Sequence, residues 1–339
     1  MTRRIPSKAI AVVLGVLGGL LASVVAVATT GQLTAVLEAY DVAVAAVALT
    51  PDGETLLIGS EEGDLTLWRG APFRYGSALA SSSAARINEI AISPEGELAA
   101  VARDDRRVDL YSLPSGALIA SLDAPIGAVK SIAFGPEGKR LVCGTDHKRV
   151  LIWDVETRAR IGEVRETMNW VTAVAVSPSG EALATGTMGW IAVWRLVDGQ
   201  RIAESELHTS TVNTMVYSPD GRFVASGSAD KRIYLTETGT MRSLLLPTDR
   251  TGYVWALAFL PDGVHLLSGE QPTSPEWQDR RLRVWNTQDR SLAATLVGGH
   301  RRAAAVLTVA VARKADGSVL VVSGGSDGRA CVWDVTDLD

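Results

Sequence analysis

The sequence has few of the residues that bind metals. It contains two cysteines, Cys143 and Cys331, no CxxC pair, and four scattered histidines, His147, His208, His265 and His300. Protein ligands of a zinc or haem site usually come at short, fixed spacings, and these residues show none. We therefore predict no metal site and no cofactor.

Helical periodicity is missing beyond residue 30, whereas turn-forming residues are plentiful, with 32 glycines and 13 prolines. Basic charge is also scarce, because the formal net charge is −5 and residues 29–339 alone carry about −8. An acidic body of this kind repels phosphate backbones, and no basic run offsets the repulsion. We predict no nucleic-acid partner.

Long apolar runs are absent except at the N-terminus. Residues 9–28 are uncharged and mostly apolar, and they follow Arg3, Arg4 and Lys8. Twenty helical residues span roughly 30 Å, the thickness of the hydrocarbon core of a bilayer. Since positive charge stays on the cytoplasmic side, residues 29–339 are predicted to be exported.

Two fates of residues 1–28 remain open. The length of the apolar run favours a retained signal anchor, with the remaining chain on the periplasmic or extracytoplasmic side of the membrane. The sequence Ala26-Val27-Ala28 also fits the A-x-A cleavage pattern of a signal peptide. Cleavage there would leave a soluble periplasmic protein.

A motif with a period near 42 residues runs through the rest of the chain. Each unit has an apolar strand, a turn such as SPDG at 218–221, a second strand, a polar hairpin, a third strand and a weaker fourth strand. Such units bury their faces only against neighbours, so seven of them predict an all-β propeller of four-stranded antiparallel blades. The third strands end at Trp68, Tyr111, Trp153, Trp194, Thr236, Trp285 and Trp333.

The stretches LVCGTDHKRVLIWD (141–154) and LVVSGGSDGRACVWD (320–334) resemble blades of the WD-repeat propeller family. The resemblance covers about residues 32–339 and implies a seven-bladed propeller, here of a bacterial, exported or membrane-anchored type. Two departures are that only two of the closing aromatics are followed by Asp and that Thr236 replaces a tryptophan. The blades are expected at about 44–80, 87–122, 129–164, 171–207, 212–246, 254–296 and 306–339.

The last unit has three strands before the chain ends, and residues 32–37, QLTAVL, hold the position of a fourth strand before the first unit. In WD-repeat propellers the N-terminal strand commonly completes the last blade. Such a strand covers an edge that would otherwise be unpaired. The resemblance therefore implies that residues 32–37 pair with the strand that ends at Trp333.

His300, Ser323 and Asp327 are the residue types of a catalytic triad. The resemblance implies a structural role instead, because in WD repeats a histidine, a serine, an aspartate and the closing tryptophan form hydrogen bonds within one blade. The corresponding network here is His300, Ser323, Asp327 and Trp333. The resemblance also places Cys143 and Cys331 in blades nearly opposite each other, too far apart for a disulfide.

Several aromatic residues predict a protein-contact surface. Trp277 lies in an enlarged loop, residues 269–279, while Trp170 and Tyr253 immediately precede first strands and Trp255 lies inside one. By the family geometry these residues share one face, and aromatic and arginine side chains are typical of binding hot spots. The predicted partner-binding residues are Trp170, Tyr253, Trp255, Trp277, Arg301 and Arg302.

We interpret the chain as a non-enzymatic scaffold that presents loops to unknown protein partners, since fold alone does not define function. One alternative is a propeller enzyme, a hydrolase, lyase or oxidoreductase, which needs charged residues converging on the central channel. Another is a propeller that binds a glycan or small ligand through residues such as Asn88 and Asn213. The expected channel residues, of which only Lys130 is charged, are Ala45, Asn88, Lys130, Thr172, Asn213, Trp255 and Leu307.

Overall fold

A computed structural model describes residues 31–70, 72–124, 126–165, 167, 169–248, 252–273 and 282–338. Within these ranges the chain forms 27 β-strands and one short 3-10 turn, Thr336–Leu338, and no α-helix. The apolar helix predicted in residues 1–28 lies outside the described residues. In the described part of the chain, no helix is long and apolar enough to span a bilayer.

Five sheets contain four antiparallel strands each. One of them combines the first strand of the chain with its last three. The five sheets are β2 (Val44–Leu49), β3 (Thr55–Ser60), β4 (Leu65–Arg69) and β5 (Arg74–Ala78); β6 (Ile87–Ile92), β7 (Leu98–Arg103), β8 (Arg107–Ser112) and β9 (Ala117–Asp123); β10 (Val129–Phe134), β11 (Arg140–Thr145), β12 (Arg149–Asp154) and β13 (Arg160–Val164); β21 (Gly252–Phe259), β22 (His265–Pro272), β23 (Leu282–Asn286) and β24 (Leu292–Leu296); and β25 (Val306–Arg313), β26 (Val319–Gly325), β27 (Arg329–Asp334) and β1 (Gln32–Glu38).

The sixth sheet has seven strands, which corrects the predicted fold class. The expectation of seven separate four-stranded blades is wrong, because the described residues form five sheets of four strands and this larger one. Its strands are β14 (Ala173–Val176), β15 (Ala182–Gly186), β16 (Met188–Arg195), β17 (Arg201–Tyr217), β18 (Phe223–Ser228), β19 (Ile233–Glu237) and β20 (Ser243–Leu245).

The long strand β17 is the reason for this difference. Its first part pairs with β16, where Trp190 faces Glu206, and its last part pairs with β18, where Met215 faces Ser226. Residues 201–217 contain no glycine or proline and several β-branched residues, so nothing interrupts the extended backbone. Two units that the repeat pattern separates at about 207–212 therefore form a single sheet.

The sheets stack around a centre, so the all-β propeller is confirmed. The innermost strands β2, β6, β10, β14, β17, β21 and β25 contact one another in that order, and β25 contacts β2 to close the ring. Glycine lets neighbouring sheets approach: a Cβ at Gly324 would lie 2.5 Å from Val44 Cγ1, and one at Gly144 would lie 2.7 Å from Val171 Cγ1. The core therefore lies between the sheets, where these valines are fully buried.

The edge of the sheet that contains Trp333 is covered by β1. Leu33 faces Trp333 and Val36 faces Cys331 in an antiparallel register, so the pairing expected for residues 32–37 is present. At the end of the strand, Glu38 Oε1 accepts from Arg329 Nη2 at 2.7 Å. Strands separated by nearly the whole chain thus share one sheet, which joins the two ends of the ring.

Candidate functional site

The inner strands surround a central cavity of about 570 Å³. All of the channel positions expected from the sequence line it, and each of them directly follows a buried valine or isoleucine of the repeat. Those residues are Ala45, Asn88, Lys130, Thr172, Asn213, Trp255 and Leu307. Pockets of this volume are in the range that holds small ligands or single side chains of a partner.

The cavity is more highly charged than the sequence predicts. Lys130 is not the only charged residue there, because Arg86 and Glu89 also line the wall. Lys130 also has an acidic partner, since Asp104 Oδ1 lies 2.6 Å from Lys130 Nζ and accepts from Asn88 Nδ2 at 2.8 Å. Burial alone would raise the pKa of Asp104, but these two hydrogen bonds outweigh it and hold the pKa below its usual range.

Glu89 is the acidic group in the wall itself. Its Oε2 accepts from the amide of Ile132 at 2.7 Å, on the inner strand of the next sheet. Burial raises the pKa of Glu89 to about 7, although hydrogen bonds from Ser131 and Ile132 act in the opposite direction. Within the described part of the chain, no basic side chain forms an ion pair with it. A carboxylate without an ion-pair partner is costly to ionise in such a position.

Large exposed side chains lie at the same cavity. Trp170 is 59% exposed and Met188 is 60% exposed, and both line it together with Trp255. The Trp255 indole donates to Gln271 Oε1 at 3.1 Å, which anchors one side of the ring system to β22. Of the predicted partner-binding residues, the structure thus brings Trp170 and Trp255 together, and it adds Met188, which the repeat pattern did not single out.

The other predicted contact residues lie elsewhere. Tyr253 is partly exposed, with Lys231 Nζ 5.5 Å from its ring centre. Arg301 pairs with Glu38 at 3.5 Å near the start of β25, and neither it nor the exposed Arg302 lines the cavity. Trp277 lies outside the described residues. Of the predicted surface, therefore, only Trp170 and Trp255 among the described residues line the cavity.

The triad-like residues form a buried network. His300 Nδ1 donates to Asp327 Oδ1 at 3.0 Å, because a carboxylate can only accept, and Nε2 lies 2.8 Å from Ser323 Oγ. The Trp333 indole also donates to Ser323 Oγ, at 3.1 Å. Burial alone would raise the pKa of Asp327, but the hydrogen bonds from His300 and the Arg301 amide hold it at about 2.

A second network of this type was missed at sequence level. His208 Nδ1 lies 3.0 Å from Asp230 Oδ2, and Nε2 lies 2.9 Å from Ser226 Oγ. No tryptophan completes it; Tyr234 instead meets the histidine edge to face, with ring centres 5.0 Å apart. The spacing of Ser226 and Asp230 was a usable signal, but the histidine stands nearer to its serine in sequence than His300 does to Ser323.

A charged pair replaces the histidine network in the sheet of β6 to β9. Arg103 Nε donates to Asp109 Oδ2 at 2.9 Å, and both side chains are completely buried. Asp109 also accepts from the hydroxyls of Ser82 and Ser121, while Arg103 Nη1 reaches the carbonyl of Gly63 in the neighbouring sheet. This pair fixes one sheet to the next, and its burial leaves it no access to a ligand.

Both cysteines are buried and neither forms a disulfide. Burial raises the pKa of the Cys143 thiol far above its usual range, and the nearby charge of Glu89 adds to the effect. A protonated, enclosed thiol is a poor nucleophile. Both side chains therefore fill space in the core as small apolar groups.

Comparison with known proteins agrees with this architecture. The family described as WD domain, G-beta repeat matches residues 31–69, 116–154, 199–236, 243–286 and 291–334, which together make up more than half of the chain. The chain therefore belongs to the WD40 repeat family.

Curated relatives share part of this chain. Transducin beta-like protein 3 of Bos taurus is 30% identical over 132 residues, which cover 39% of this chain and 15% of that protein. Actin-interacting protein 1 of Drosophila melanogaster is 33% identical over 96 residues, 27% of this chain and 14% of that protein. A periodic tryptophan protein 2 homolog of Schizosaccharomyces pombe is 26% identical over 164 residues, 43% and 18% respectively. This chain spans less than a fifth of the length of each.

Proposed function

We propose that this protein is a non-enzymatic interaction scaffold, which binds partner proteins over the opening of its central cavity. The observation that carries the proposal is the exposure of Trp170 and Met188 where they line that cavity. Large apolar side chains are seldom left exposed together on a rigid scaffold unless they contact something. The surrounding sheets hold these residues in place before a partner arrives, which lowers the entropic cost of binding.

Two further points support a binding function. Both Ser-His-Asp arrangements have fully buried serines, Ser226 and Ser323, so their hydroxyls have no approach for a substrate. Among the relatives, actin-interacting protein 1 is named for an interaction with another protein. Membership of the WD40 repeat family supports the same class of function, because the repeats provide a rigid ring for side chains and loops.

Export remains part of the proposal. The basic residues before the apolar run at 9–28 support an orientation in which the propeller lies on the extracytoplasmic side, anchored or released by cleavage. A reporter that is active only after export, fused after Asp339, should be active. Activity of a reporter that works only in the cytoplasm, at the same site, would contradict this orientation.

The binding surface is tested with two exposed aromatic residues. Full-length protein carrying Trp170→Ala should lose most of the proteins that co-purify with the wild type from detergent-solubilised membranes. Tyr75→Ala is the matched control, because Tyr75 is 57% exposed but lies on the outer strand β5. Both variants should keep the wild-type melting temperature, and equal co-purification with Trp170→Ala and wild type would overturn the proposal.

A further inference from the structure

Glu89 interrupts a ring of small side chains in the cavity wall. It is the second residue after the buried Ile87, and the residues at the same distance after the corresponding buried valines of the other units are small. These are Ala46, Ser131, Ala173, Thr214, Ala256 and Thr308, all of which line the cavity. Small residues are sufficient to pack the sheets at these positions, so packing does not account for the acidic side chain of Glu89.

A structural role explains the hydrogen bonds that Glu89 accepts from Ile132 and Ser131. Thr308 Oγ1 accepts from the amide of Val47 at 3.2 Å, and Ser131 Oγ accepts from the amide of Val174 at 3.0 Å. Glu89 Oε2 makes the same link to the next sheet, through Ile132. Since a hydroxyl is sufficient for that link, the packing of the sheets does not require the negative charge of the carboxylate.

The charge has no counter-ion in the wall as described. Lys130 is held by Asp104 at 2.6 Å, and no ion pair joins Glu89 to Arg86, which is exposed. Burial of Glu89 raises its pKa to about 7, so ionising this carboxyl in the cavity wall is costly. Binding of a cation would remove that cost, because an opposite charge nearby favours the ionised carboxylate.

We propose that the central cavity binds a cationic nitrogen, an ammonium or guanidinium group, with Glu89 as its counter-ion. Trp170 and Trp255 line the same cavity, and the faces of aromatic rings also attract cations. This inference rests on the proposed function, since a lysine or arginine side chain of a partner protein is one source of such a group. A free small amine is the other source.

The probes are two capped tripeptides, Gly-Lys-Gly and Gly-Arg-Gly, a capped Gly-norleucine-Gly peptide of similar size without charge, and butylammonium. They are titrated by calorimetry into the full-length chain in a non-ionic detergent at pH 8, where Glu89 is ionised. The cationic peptides should bind at least tenfold more tightly than the norleucine peptide. Tighter binding of the peptides than of butylammonium identifies a protein side chain as the source, and the reverse identifies a free amine.

Three variants separate the charge from the fold. Glu89→Thr introduces the residue found at position 308, so it should keep the link to Ile132 and the melting temperature but lose at least tenfold in affinity for the cationic probes. Glu89→Gln should show the same loss. Glu95→Gln removes one charge from the β6–β7 turn outside the cavity and should leave affinity unchanged.

Equal binding of the norleucine and lysine peptides, no binding of any cationic probe at millimolar concentration, or full affinity in folded Glu89→Thr would overturn the inference. The proposed function is judged separately. If Trp170→Ala abolishes co-purification of partners but Glu89→Thr leaves all probe affinities unchanged, the scaffold function stands and the cation site falls.

Discussion

Two carboxylates of this propeller, Asp327 and Glu89, are shielded from bulk water, but their pKa values shift in opposite directions. At the hairpin between β26 and β27, Asp327 accepts from the imidazole of His300 and from the amides of Arg301 and Arg329, and its pKa falls to about 2. In the cavity wall, burial raises the pKa of Glu89 to about 7, and the hydrogen bonds from Ser131 and Ile132 do not offset it. At Asp327, three hydrogen-bond donors and the charge of the His300 imidazole outweigh burial, so the pKa falls. The charge of Asp327 is stabilised by donors within the protein, whereas Glu89 has no ion-pair partner among the described residues and is therefore the carboxylate that we propose as the counter-ion of a ligand.

Asp109, like Asp327, is a carboxylate whose hydrogen bonds are supplied by the fold, but its partner is a fully buried cation, Arg103. Asp109→Ala should destabilise the protein by about 3–5 kcal/mol, since it leaves the guanidinium of Arg103 buried without its counter-ion. Urea unfolding followed by tryptophan fluorescence measures the loss. Asp104→Ala is the control, as the partly exposed pair with Lys130 should contribute only about 0–1 kcal/mol. Similar losses in the two variants would show that burial of the pair does not control its contribution.

The next largest loss of stability is expected on substitution of Ser323, which links His300 to Trp333. Ser323→Ala should lower the free energy of unfolding by about 1–3 kcal/mol, because it leaves the Trp333 indole and His300 Nε2 without their shared partner. Ser226→Ala should cost less, because no tryptophan donates to Ser226 in the corresponding network. Partner binding by both folded variants should equal that of wild type. Loss of a hydrolytic activity at full stability would contradict the structural role.

The smallest expected effect is a change in pH dependence. The folded protein holds the proton of Glu89 more tightly than the unfolded chain, where the pKa is near 4.5. Wild-type stability should therefore decline as pH rises from about 4.5 to about 7, and then level off. Glu89→Gln cannot ionise, so it should match wild type at pH 4 and be more stable than wild type at pH 8.

Asp327→Asn provides the comparison of opposite sign. The pKa of Asp327 is lowered from 3.8 to about 2, so its contribution to stability is present above about pH 4 and is lost as pH falls toward 2. The variant should therefore be less stable than wild type at pH 7 and approach it at pH 2. Urea unfolding at four pH values covers both windows. The same pH profile for the two variants would invalidate the contrast between the sites.

Much of the architecture could be predicted from the sequence, because it depends on local patterns. The turns, the apolar inner strands and the closing aromatics recur at nearly constant spacing, and the channel positions follow from their place in each strand. The predicted boundary between two units at about 207–212 was wrong. No turn residue interrupts β17 there, and the strand pairs with β16 on one side of this point and with β18 on the other. The network around His208 was missed because its histidine precedes Ser226 by a different interval from that between His300 and Ser323.

By itself the sequence determined the repeat, because the repeat follows from turn chemistry and from the period of apolar residues. The pairing partner of residues 32–37 was implied by the resemblance to WD-repeat propellers that the motifs carry. Only the tertiary structure decided which charges meet. Asp104 reaches Lys130 from the hairpin of a neighbouring sheet, and Arg103 reaches a carbonyl in the sheet beside its own. Glu89 gains its position because seven inner strand segments surround a space that none of them encloses alone. Burial and the supply of hydrogen-bond donors are properties of that assembled ring, so the altered pKa of Glu89 cannot be inferred from any single repeat.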